Sequence, residues 1–241
     1  MYPRTELNLD PDLPSSAEYW TPQAEDIGEE GFGYFRDVWP ILDVTEDEAR
    51  NLQEEDRRLA SFVSLMASKE DEFEIIARTI ERASDAYGYE KLRPEQRSQL
   101  ERYLVPEEDD YEAVLGGLDI GVAGLVYAIS AAGMFPAASC RGHSVDRAWS
   151  DVPVVLFAAD LPHARVLQPL VRTANCGFTT DRARPELLVV TAGSIDDTLK
   201  LADDIIDNLE SFRAVQPPAN RIEHLSAESP GQLELFRRLE P

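Results

Sequence analysis

Apolar positions recur at helical spacing in three segments of the first half of the chain. Thr45 and Glu48 form a capping box ahead of the stripe Leu52, Leu59, Phe62, Val63 and Met66. Ser68 with Asp71 starts a second helix carrying Phe73, Ile76, Ile80 and Ala83. Pro94 opens a third, with Leu100, Tyr103 and Leu104 on its apolar side. Residues 1–43 have no such period. Pro3, Pro11, Pro14, Pro22 and Pro40 punctuate them, which predicts an extended arm. Its aromatic residues, Tyr19, Trp20, Phe32, Tyr34, Phe35 and Trp39, suit an arm packed on the body of the protein.

The second half alternates between two periods. A long apolar helix is expected from Tyr111 to Ala132, ending at Gly133. A strand Phe135–Ser139 follows, then the loop Cys140–Asp151 and a continuous apolar strand Val154–Ala159. Asp160 caps a helix bearing Ala164, Val166, Leu167, Leu170 and Val171, and Asn175-Cys176-Gly177 ends it, with Gly177 expected at positive φ. Phe178–Asp181 and Leu187–Thr191 read as a hairpin across Arg182–Pro185. Ser194 and Asp197 cap a last amphipathic helix reaching Phe212.

The expected order is α-ββ-α-ββ-α behind a helical N-terminal region, an α+β class. Its plan is similar to a permuted ferredoxin-like fold. The implied organisation is an arm at 1–43, an acidic helical region at 44–106, an α+β module at 107–213 and a tail at 214–241. The uncharged run Ile120–Cys140 is long enough to span a bilayer, but Gly133 and Pro136 interrupt it and only Arg141 flanks it on one side. A buried helix running into a buried strand explains it better. No secretory leader pattern opens the sequence, so a cytoplasmic protein is expected.

Charge narrows the partners. The 241 residues carry 46 acidic and 23 basic side chains, net −23. Residues 1–118 hold 30 acidic and 12 basic residues, whereas residues 140–184 hold six Arg against four Asp. Direct nucleic-acid binding, which needs clustered Lys and Arg, is not expected, nor is binding to an anionic membrane. An acidic mimic that blocks a basic partner is one reading of the first half. The two cysteines give no disulfide framework.

The basic island contains the one constellation with chemistry. Ser139-Cys140-Arg141-Gly142-His143 lies where a buried strand opens into a loop. Cys140 and His143 are the candidate catalytic pair, and Arg141, Gly142, Arg147 and Asp151 the candidate ligand-binding residues for a small anion or nucleotide. The C-x-x-H spacing also suits half of a zinc site. No second paired motif supplies the remaining ligands, so no cofactor or metal is expected. The bland alternative is a buried cysteine beside a histidine in a polar turn. No dinucleotide, Walker, zincin or nucleophile-elbow motif occurs, so enzymatic activity stays open.

The strand, the Ser139–His143 turn and the strand Val154-Val155-Leu156-Phe157 together resemble the Ser-Cys-x-Gly-Arg signature loop of the wybutosine-synthesis tRNA methyltransferase family. His143 stands at the family's basic position. The resemblance covers residues 125–164 and implies a relationship of fold, with Ser139, Cys140, Gly142 and His143 on the signature loop. In the tail, Gln232-Leu233-Glu234-Leu235-Phe236 resembles the bacterial sliding-clamp-binding peptide, Gln-Leu-x-Leu-Phe. That implies an accessory protein recruited to a clamp, with Gln232, Leu233, Leu235 and Phe236 as the contacts. The alternative is a final turn in which Leu233, Phe236 and Leu239 pack on the domain.

Overall fold

The structure, a computed structural model, describes residues 4–28, 31–35, 39–81, 88–101, 114–143 and 150–215. Helix α1 is one turn, Trp39–Leu42, followed by α2 (Glu46–Met66), α3 (Glu70–Glu81) and α4 (Pro94–Leu100). The module then runs α5 (Ala123–Ala131), β1 (Phe135–Cys140), β2 (Val154–Ala158), α6 (Leu161–Thr173), β3 (Cys176–Thr180), β4 (Leu188–Ala192), α7 (Ile195–Ile206) and α8 (Leu209–Arg213). The class is α+β, with the helical region preceding the module.

Caps written in the sequence form as expected. Thr45 and Glu48 make both halves of the capping box, and Asp160 and Ser194 each accept a backbone N–H from the first turn they cap. The four strands form one sheet in the order β1-β2-β4-β3, every neighbouring pair antiparallel. All five residues of β2 are buried, which is why that segment reads as an unbroken apolar run.

Three expectations are corrected. The helix expected over 111–132 is instead a 3-10 turn at Val114–Gly117 and a separate helix at Ala123–Ala131, residues 111–113 lying outside the described set. Leu115, Gly116, Gly117 and Gly121 all hold positive φ, which no α-helix tolerates. The last helix breaks after Ile206 and resumes at Leu209. After α6 the left-handed residue is Asn175, φ 59°, while Gly177 enters β3. Gly177 is needed for space: a Cβ there would sit 2.9 Å from Leu9 and from the Asp10 backbone. Expected positions Ala83, Tyr103 and Leu104 lie outside the described residues.

The arm is not wholly extended. It contains a 3-10 turn at Ala24–Asp26 and ends in α1. It lies along the sheet: Phe178 N–H donates to Asp10 O at 2.7 Å, Trp20 N–H to Ala159 O at 3.0 Å, and Tyr34 N–H to Ala137 O at 2.8 Å. Phe32 is buried between Trp20 and Phe135, at ring-centroid distances of 6.3 and 6.5 Å. Tyr34 remains exposed.

Two apolar clusters result. One lies around the sheet, α5, α6 and α7. The other joins α2, α3 and α4 to Ile120, Ala123, Ile195 and Leu199 of the module. Helices α2 and α5 approach closely because Gly124 has no side chain; a Cβ there would fall 1.7 Å from Gln53 Oε1. Among the described residues no helix is long and apolar enough to cross a membrane.

Candidate functional site

Between these two clusters lies a knot of buried charge. Its floor comes from the two acidic helices. Asp56 sits inside the apolar stripe of α2, four residues after Leu52 and three before Leu59. Glu74 and Glu81 are two turns apart on α3, on the side that also buries Phe73, Ile76, Ala77 and Ile80. Each carboxylate is held. Asp56 accepts the Gly121 and Gly124 N–H groups at 2.5 and 2.9 Å, which fixes the turn after Asp119. Glu81 accepts the Ile120 N–H at 2.7 Å through Oε1.

The module closes the knot from the other side. Arg141 follows β1 and is 3% exposed. Its Nη1 is bonded to Glu81 and its Nη2 donates to Glu74 Oε2 at 3.1 Å. Its backbone N–H donates to Asp119 Oδ2 at 3.0 Å. The guanidinium therefore points into the protein at carboxylates and does not face an anion from solvent. Arg78 adds a second cation, 2.5 Å from Glu74 Oε1.

Gly142, φ 83°, turns the chain sharply after Arg141; a Cβ there would lie 2.6 Å from the Val152 backbone. The turn sends His143 back toward the knot. His143 Nδ1 lies 2.8 Å from Glu74 Oε1, and Nε2 lies 3.2 Å from Asp119 Oδ2. Cys140, also buried, accepts the Gly142 N–H on Sγ at 3.4 Å. One donor atom each from Asp119, Cys140 and His143 lies within 4.8 Å of the others.

The titrations follow from this packing. Burial disfavours the His143 cation, but hydrogen bonds to Asp119, Cys140 and Glu74 outweigh it and raise its pKa to about 11. Burial also works against the Glu74 anion, yet the His143 hydrogen bond and the Arg141 charge bring Glu74 down to about 2. Asp119 is lowered well below the usual carboxylate range for the same reasons. Asp56 goes the other way: desolvation wins over its two backbone hydrogen bonds and lifts it to about 7. Glu81 is raised too, chiefly by burial.

Of the residues singled out from sequence, Cys140 and His143 come together and Gly142 makes the turn that allows it. Asp151 is exposed at the end of the loop. Arg147 and Gln232, Leu233, Leu235 and Phe236 lie outside the described residues. Sequence reading missed Asp56, Glu74, Glu81 and Asp119. The signal for the first three was a carboxylate inside an apolar stripe. Asp119 and Arg141 bound the uncharged run 120–140, and the Arg141 backbone N–H donates to the Asp119 carboxylate.

Fold and site together define an α+β protein with a buried ionic network supporting a carboxylate–thiol–imidazole cluster. No protein-family model, curated protein or solved structure matches this chain.

Proposed function

We propose that the chain is a ligand-binding accessory protein whose site is the Cys140–His143 turn. The observation that carries this reading is the convergence of Asp119, Cys140 and His143, from two separate segments, on one point. Burying Asp56, Glu74, Glu81 and Arg141 beneath that point costs desolvation that an apolar core would avoid. Such an arrangement is expected where a site has to be held in place. The order α-β-β-α-β-β before the final helix is that of a β-α-β-β-α-β chain with its first strand moved behind the last, which supports a permuted ferredoxin-like plan.

A thermal-shift panel of nucleotides, inorganic phosphate, amino acids and divalent metal ions tests the reading. A ligand at about a hundredfold over its Kd stabilises by about 2.7 kcal/mol, about 5–10 °C for a chain of this size. The shift is expected in the wild type and absent from Cys140→Ser and His143→Ala. A panel that fails to separate the wild type from both variants rejects the site.

The sequence Gln232–Phe236 favours a second role, recruitment to a bacterial sliding clamp. Interferometry with the full chain is then expected to give micromolar binding that Gln232→Ala with Phe236→Ala abolishes, at unchanged melting temperature. A melting temperature that falls markedly in the double variant makes these residues part of the core instead.

A further inference from the structure

The geometry points to a divalent metal site of the zinc class formed by an Asp119 carboxylate oxygen, Cys140 Sγ and His143 Nε2. This inference rests on reading the turn as a ligand site and names the ligand. Zinc bonds of about 2.0–2.3 Å in tetrahedral array put neighbouring donor atoms about 3.3–3.6 Å apart. The Nε2–Asp119 distance of 3.2 Å is already close to that, and all three donors fall within 4.8 Å, so small side-chain shifts complete the set.

The surroundings favour a metal over a simple polar turn. A metal-bound histidine almost always donates its other ring N–H to a carboxylate, which fixes the tautomer. Glu74 occupies that position on Nδ1, at 2.8 Å, and leaves Nε2 facing Asp119. The Gly142 N–H reaches Cys140 Sγ at 3.4 Å and fixes the sulfur on the inner side of the turn.

The network also leaves a carboxylate oxygen unpaired. Glu81 Oε2 is buried with no hydrogen-bond partner among the described residues, so the protein groups there leave the anionic side under-satisfied.

The donor set selects the metal. Thiolate with imidazole suits zinc and cobalt, whereas calcium and magnesium prefer all-oxygen shells. Binding breaks the Cys140 S–H and the His143 Nε2–H, and both protons leave to solvent as the two metal bonds form. Three protein donors leave a fourth position for a small ligand, the coordination of catalytic zinc sites.

Anaerobic titration of the full-length, chelator-treated chain with cobalt(II) tests this. A thiolate-to-cobalt charge-transfer band is expected, saturating at equimolar metal and reversed by zinc. It should vanish in Cys140→Ser, weaken in Asp119→Asn and persist in Cys176→Ser. Glu74→Gln should keep the band but weaken affinity about 10–100-fold. Circular dichroism confirms that each variant is folded. No band in the folded wild type, or a band that survives Cys140→Ser, overturns the metal site. If the thermal-shift panel still finds a non-metal ligand in that case, the ligand site stands without the metal; if it finds none, both fall.

Discussion

Arg141→Met is expected to destabilise the chain by about 3–5 kcal/mol, because removing one partner of a buried ion pair strands the others. Here one carboxylate is stranded and a second loses one of its cations. Glu81 loses the cation on Oε1, and Glu74 keeps only Arg78 and His143. Methionine fills much of the space, so lost packing is a minor part of the effect. A urea midpoint, read by circular dichroism, measures the change. The triple variant Arg141→Met, Glu74→Gln, Glu81→Gln should recover part of the loss, since the uncompensated charges go with their partner. If Arg141→Met is nearly neutral, the guanidinium is solvated in solution and the network is not what joins α3 to the sheet.

The second large effect belongs to His143 and depends on pH. In chelator-treated protein the imidazolium bridges Glu74 and Asp119, and its pKa is raised from 6.5 to about 11. A group with a raised folded-state pKa contributes stability that is complete below its unfolded value and disappears as pH climbs through the folded one. The gap in melting temperature between wild type and His143→Ala is thus largest below about pH 6.5 and shrinks toward pH 11. Below pH 6.5 it should correspond to about 3–5 kcal/mol, the usual result of breaking a buried pair. Near pH 2, where Glu74 itself takes up a proton, the gap narrows again. A gap that is flat from pH 6 to 10 places His143 outside the network.

Much of the scaffold is legible in the sequence because it depends on local rules. The caps at Thr45, Asp160 and Ser194 and the apolar run of β2 each need only a few neighbouring residues to be recognised. The break between Val114 and Ala123 is different. Its apolar positions continue into those of α5 and read as one helix, and positive φ at Leu115, Gly116, Gly117 and Gly121 stops it. Leucine is not a residue whose identity announces a left-handed conformation.

The candidate site is half legible. Cys140, Gly142 and His143 stand together in sequence, so their proximity is visible from the motif. The partners of His143 come from α3 and from the turn at Asp119, which Asp56 of α2 holds, and tertiary packing alone brings them there. In a chain with 46 acidic residues, Asp56, Glu74 and Glu81 are easily read as one more solvated face. Their positions within apolar stripes say otherwise. Arg141 shows the converse: an arginine in a locally basic loop reads as an outward anion focus, yet it serves as the inward clamp of the network.

The most direct measurement is the long-range ¹H–¹⁵N correlation spectrum of the histidine side chains, since the chain has only three. In metal-free protein at pH 8, His143 is expected to be an imidazolium with both ring nitrogens protonated, between Glu74 and Asp119. Equimolar zinc should then move Nε2 to a metal-bound shift and leave Nδ1 protonated on Glu74. A His143 that titrates near its ordinary value, and does not respond to zinc, would contradict both the network and the site built on it.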